Sequence, residues 1–308
     1  MEDNILVKQS KMWSCVEGCL INVCVHYKRD YHVLFLHSWD FGIREEKVFE
    51  ESFHFSSLFH SIIDEYFCLA SEYLNIEIVP IENSYTMIGS RLNNNKIIYV
   101  NSDAFCLPWN LAYRKKHIFH SYLLMRKSFA GDLIVIDPFC SAEIINISNI
   151  EELHILSCYE IYEKENKCLN ICDLQKEYIE YLENIYKRKF YESIKIFGEK
   201  LLEIRAIEEL TRDYNDLENN NFLRRIYQIL NARYNTKLLF EYLLIKKEYV
   251  ENMEVICARW ERVKNVFIKT IITKKLDLLK KISDEVLTIS NLEKQLCEEL
   301  IKGRDIYV

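Results

Sequence analysis

The feature that most constrains the fold is a change of character near residue 165. All three prolines (Pro80, Pro108, Pro138) and all eight histidines precede it. After it, only Gly198 and Gly303 interrupt long stretches of helical periodicity. Breakers and short apolar runs on one side, with sustained 3.6-residue periodicity on the other, predict an α+β first part followed by an all-α part. The expected division is 1–165 and 166–308. No Pro-, Gly- or Ser-rich linker separates the parts, so they are expected to pack together as one body.

In the first part, apolar spacing predicts helices over 14–27 and 56–74 and strands over 76–79, 97–100, 121–125 and 133–136. Isolated strands between irregular loops suit an antiparallel sheet packed against helices. The second part predicts helices over 173–187, 191–208, 222–233, 238–264 (with room for an interruption) and 276–302, which short polar links would join into a bundle.

Composition excludes several functional classes. The net charge is −7. From residue 166 onward, 26 basic and 24 acidic residues give +2, which leaves 14 basic and 23 acidic, or −9, before it. A nucleic-acid binder would show a dominant basic face. No apolar run reaches membrane-spanning length, and the first eleven residues lack a basic-then-apolar leader pattern, so the expectation is a cytoplasmic protein without a membrane partner. The eleven cysteines are odd in number and include no CxxC pair, which argues against a disulfide framework or a zinc ribbon. Reduced core thiols are expected, with no metal and no cofactor.

One cysteine stands apart. Ser14-Cys15-Val16-Glu17 is an S-x-x-E capping box that would start a helix at Cys15. A thiol at an exposed helix N-terminus faces unpaired N–H groups and the positive end of the helix dipole, which favour the reactive thiolate. Cys19 and Cys24 fall within the helix and lack that advantage.

A thiol nucleophile needs a base, and the base needs an orienting partner. His120 opens one predicted strand, and Asp137-Pro138 ends the next. A hairpin closing near 128–129 would make His120 and Asp137 directly opposed cross-strand neighbours, with Cβ atoms about 5 Å apart. His117 competes with His120 as base, and Asp103 with Asp137 as orienter. The competing bland readings are a buried structural cysteine, a strand-edge histidine and an Asp-Pro turn.

These residues also carry a family resemblance. Gln9 followed six positions later by Cys15, a distant His opening a strand and a terminal Asp-Pro resemble papain-fold enzymes, including the peptidase domains of bacteriocin-processing transporters. Asn101-Ser-Asp103-Ala-Phe-Cys-Leu-Pro108-Trp-Asn, with Tyr113 and the His117/His120 pair, resembles the butirosin biosynthesis protein H N-terminal family. The resemblance implies a papain-like fold and an acyltransferase of natural-product assembly. Such an enzyme would take an acyl or peptidyl group from the phosphopantetheine thioester of a carrier protein and pass it to a small amine acceptor, as in polythioamide assembly. It further implies that the Gln9 side chain and the Cys15 backbone N–H bind the oxyanion. Trp13, Trp109, Tyr113 and Asp103 are candidates to line the acyl channel, with ordinary packing as the competing reading. The alternatives are a cysteine peptidase or thioesterase, or an inactive papain-like interaction module.

Overall fold

The computed structural model describes residues 8–10, 13–40, 55–126, 133–139, 144–147, 149–164, 170–211, 220–303 and 306–307. The chain divides into two compact units, Met1–Leu34 with His54–Leu169 and Phe35–Phe53 with Asn170–Val308. The second unit thus takes in a stretch that the sequence reading leaves in the first part.

The first unit is α+β. Its described strands are β1 (Ile76–Pro80), β2 (Ile97–Asp103), β3 (Phe119–Arg126), β4 (Leu133–Ile136), β5 (Ile145–Ile147) and β6 (Ile155–Glu163). They form one antiparallel sheet in the order β1-β6-β2-β3-β4-β5. Three described helices accompany it: α1 (Cys15–His26), α2 (Phe55–Tyr73) and α3 (Tyr85–Asn93).

Alternation along the strands gives the sheet two working faces. On one, Ile98, Val100, Tyr122, Leu124, Val135 and Cys158 pack with Ile88 and Leu92 of α3. On the other, the Tyr99 ring meets Phe67 of α2 and Tyr159 of β6 at centroid distances of 5.4 and 5.9 Å. Helix α1 contacts β3. Every α1 residue from Cys15 to Cys24 is buried, Glu17 and Asn22 included.

Three elements of this unit, α3, β5 and β6, lie outside the sequence expectation. Helix α3 has readable signals: Ser84 caps it by accepting from Met87 N at 3.3 Å, and Ile88 and Leu92 form its buried stripe. Strand β6 pairs with both β1 and β2, yet it carries Glu160 and Glu163, which mask its apolar alternation.

The second unit is helical: α4 (Ile171–Lys187), α5 (Phe190–Lys200), α6 (Glu208–Thr211), α7 (Asn221–Tyr242), α8 (Lys247–Thr273) and α9 (Leu278–Lys302). Helix α9 contacts α4, α5 and α8, and α7 contacts α8. The expected gap at 234–237 is continuous helix instead, and the break comes after Tyr242. There Ile245 N donates to Phe240 O at 3.0 Å and Leu244 N to Glu241 O at 3.3 Å. This is a Schellman stop with Leu244 at φ 57°, a position where glycine is usual.

At the centre of this unit sits a fully buried carboxylate. Glu293 of α9 accepts from Arg233 Nε at 2.9 Å and Nη2 at 2.7 Å. It also accepts from Trp260 Nε1 and Trp39 Nε1, each at 3.0 Å. The Trp39 bond, with Ser38 Oγ to Thr236 Oγ1 at 2.9 Å, ties the 35–40 segment into the helical unit. A buried ion pair needs its remaining lone pairs filled, and the two indoles do that here.

Candidate active site

Helix α1 begins as its sequence predicts. Ser14 Oγ accepts from Glu17 N at 3.2 Å, and Glu17 Oε2 accepts from Ser14 N at 2.7 Å. Tyr66 of α2 donates to the other Glu17 oxygen at 2.7 Å. Burial, and then the Glu17 charge, push the Tyr66 hydroxyl well above its ordinary pKa. Cys15 is the first residue of α1, yet only 8% exposed, not open to solvent as expected. The reason is the all-round burial of α1, which encloses its first turn as well. Cys15 is a free thiol.

Ahead of the helix, Asn22 of α1 accepts from Lys8 N at 2.8 Å and donates to Lys8 O at 2.9 Å. This clasp pins the strand of chain that carries Gln9 beside α1. Gln9 itself is exposed.

His120 and Asp137 come together. His120 Nε2 lies 2.7 Å from Asp137 Oδ2, with side chains 5% and 0% exposed. The β3–β4 register differs from the expectation by two residues: Leu123 pairs with Ile136 and Leu124 with Val135. Extending it sets Asp137 across from Tyr122, so His120 is its diagonal neighbour. An even slip preserves the face, and a diagonal pair stays within reach of long side chains.

Asp137 is held by further donors. Trp109 Nε1 donates to Oδ2 at 3.0 Å and Phe139 N donates to Oδ1 at 3.2 Å. Trp109 is also edge-on to Tyr122, 5.8 Å between centroids. Phe139, 62% exposed, sets its ring 6.0 Å from that of His120.

The Asp137-Pro138 turn reaches α1. A Cβ built on Gly18 would lie 2.8 Å from Pro138 Cγ, so the first turns of α1 rest on the proline ring. Cys19, one helical turn after Cys15, is pushed far above its ordinary pKa by burial, then by its neighbours Cys15 and Asp137. Burial, then Cys19 and Cys15, raise Tyr99 likewise. Tyr99 OH donates to Ser121 Oγ at 2.8 Å. Asp137-Pro138 is therefore the joint where the pair and the thiol helix meet.

The competing pair is separate. His117 Nδ1 lies 2.6 Å from Asp103 Oδ2, and His117 is 74% exposed. Asp103 Oδ1 accepts from Phe105 N at 3.0 Å and Ile118 N at 3.3 Å. Partial burial works to raise the Asp103 pKa, but the His117 bond and the two N–H donors outweigh it and hold the carboxyl below its usual range. Asp103 thus pairs with His117, while the His120 ring bonds Asp137.

The remaining sequence candidates are placed as follows. Trp13 is 6% exposed and edge-on to Tyr31 at 5.8 Å. Tyr113 sits in the turn after Trp109, under the Arg114 guanidinium at 5.1 Å. Among the described cysteines all are free; Cys68 and Cys172 are exposed, Cys106 is half-buried, and the others are buried. No group of three metal-ligating side chains occurs among the described residues. None of the described helices is long and apolar enough to cross a membrane. No family model matches the chain, and no curated protein matches it.

Proposed function

We propose that this chain is a papain-like cysteine acyltransferase that forms an amide from a carrier-bound thioester and an amine. The observation that supports this best is the buried His120–Asp137 pair, 2.7 Å apart, next to a proline that rests on the helix opened by Cys15. A carboxylate bound to Nε2 fixes the tautomer in which Nε2 carries the proton and Nδ1 accepts. Nδ1 is then the atom that takes the Cys15 proton. The Gln9-x5-Cys15 spacing and the resemblance to the butirosin biosynthesis protein H N-terminal family support the same reading.

The chemistry balances without metal or ATP. The Cys15 thiolate adds to the thioester carbonyl, and the tetrahedral oxyanion is bound by the Cys15 N–H and the Gln9 amide. Collapse expels the phosphopantetheine thiolate of the carrier, which takes the proton from His120. The amine then attacks the Cys15 acyl-enzyme and gives its proton to Nδ1. Collapse releases the amide, and the thiol is restored.

The test uses a simple acyl thioester with and without a panel of amines, read by mass spectrometry. Amide should form faster than free acid appears. Equal hydrolysis with and without every amine would replace the acyltransferase with a thioesterase.

A further inference from the structure

We infer that Trp109 is a positioning residue that sets the basicity of His120 through Asp137, and not a wall of the acyl channel. The inference rests on the function proposed above, but its main test does not need turnover. The Asp137 carboxylate is fully buried and receives three N–H groups. Two of them, from His120 Nε2 at 2.7 Å and Trp109 Nε1 at 3.0 Å, fall on the same oxygen, Oδ2. The third, Phe139 N, holds Oδ1 at 3.2 Å.

Donors that share one oxygen compete for its electron density. The indole N–H draws charge from Oδ2, weakens it as an acceptor for Nε2–H, and so lowers the affinity of His120 for a second proton. It also stops the carboxylate rotating, because Oδ1 and Oδ2 are each pinned from a different direction. The indole is itself fixed. Tyr122 packs edge-on against it, and it lies against the α3-side core, two residues after the buried Leu107. Spent on Asp137 in this way, the N–H is directed at the pair and not at a substrate.

Two described titratable groups near the pair keep their charge through the His120 range. Cys19 on α1 and Tyr122 on β3, both of which feel Asp137, are pushed up by burial and stay neutral. The Cys15→Ser background takes the thiol beside Cys19 out of the comparison.

The experiment follows the His120 imidazole by heteronuclear NMR in the Cys15→Ser background, assigned with His120→Gln, before and after Trp109→Phe. Phenylalanine keeps the aromatic packing and deletes the donor. The His120 pKa should rise by about half a unit or more. If Trp109→Phe fails to fold, 3-benzothienylalanine at position 109 replaces the N–H by sulfur at nearly constant shape. A His120 titration unchanged by loss of the donor overturns the inference. In the intact Cys15 enzyme, Trp109→Phe should lower kcat about tenfold and leave KM for the thioester unchanged. A raised KM with constant kcat would return Trp109 to the channel wall. An enzyme with no acyl transfer at all would sink the acyltransferase reading while the NMR titration still judges Trp109.

Discussion

Gly18→Ala sets helix propensity against contact in a way the structure resolves. In a helix interior, alanine is favoured over glycine by about 1 kcal/mol. The new Cβ would lie 2.8 Å from Pro138 Cγ and 3.2 Å from Pro138 Cβ. Ordinary carbon contacts are about 3.5–4.0 Å, so helix and proline must separate by roughly 0.5–1 Å. Ring pucker moves Cγ, but Cβ is tied to the backbone and cannot yield alone. Overpacking of this size costs about 1–3 kcal/mol, which leaves a net destabilisation of about 0–2 kcal/mol after the propensity gain. The larger consequence is functional. Pro138 moves with Asp137, whose Oδ2 sits 2.7 Å from His120 Nε2. A misplacement near 1 Å in a reacting geometry costs on the order of 10²-fold in rate. Urea denaturation should show a slightly lowered midpoint, and acyl-transfer assays a kcat reduced about a hundredfold. A variant with a raised midpoint and wild-type kcat would refute the claim that this contact sets the site.

Three further outcomes follow from the same geometry. Asp137→Asn leaves His120 without a carboxylate to fix its tautomer and should lower kcat by about 10²–10⁴-fold with the fold intact by circular dichroism; wild-type kcat would remove Asp137 from the mechanism. Arg233→Met strands the buried Glu293 carboxylate on two neutral indole donors and should cost about 3–5 kcal/mol in urea unfolding, while the double change with Glu293→Leu should recover most of it. Asp103 has a depressed pKa, so the stability it confers is present above its unfolded value of about 4 and is lost as pH falls through the folded value. Asp103→Asn should therefore be less stable than wild type at pH 6 and equal to it near pH 2; a difference that persists at low pH would contradict the assignment.

How much was legible in the sequence depended on whether the signal was local. The capping box at Ser14 and Glu17 is a contact three residues long, and it appears as read. The pairing of His120 with Asp137 needed only strand parity, which survives an even register slip; the register itself depends on the 127–132 connection, which lies outside the described residues. The stop of α7 was hidden because Leu244 holds the left-handed position where the eye looks for glycine. Least legible were contacts between distant residues. Nothing near Trp39 signals a bond to Glu293, 254 positions on, and nothing near Trp109 signals one to Asp137. The burial of Cys15 was missed for the same reason, since a cap locates a helix end without saying what covers it.

The central claim is that Cys15 is a nucleophile served by His120 and Asp137. Incubation with an acyl thioester, followed by intact-mass and peptide mass spectrometry, tests it most directly. Cys15 is nearly covered, while Cys68 and Cys172 are exposed, so simple accessibility predicts acylation of the latter two. One acyl group is expected, on Cys15, formed faster than on any other thiol, abolished by His120→Ala and discharged as amide when an amine is added. Acylation that follows exposure, or amide formation that survives Cys15→Ala, would contradict it.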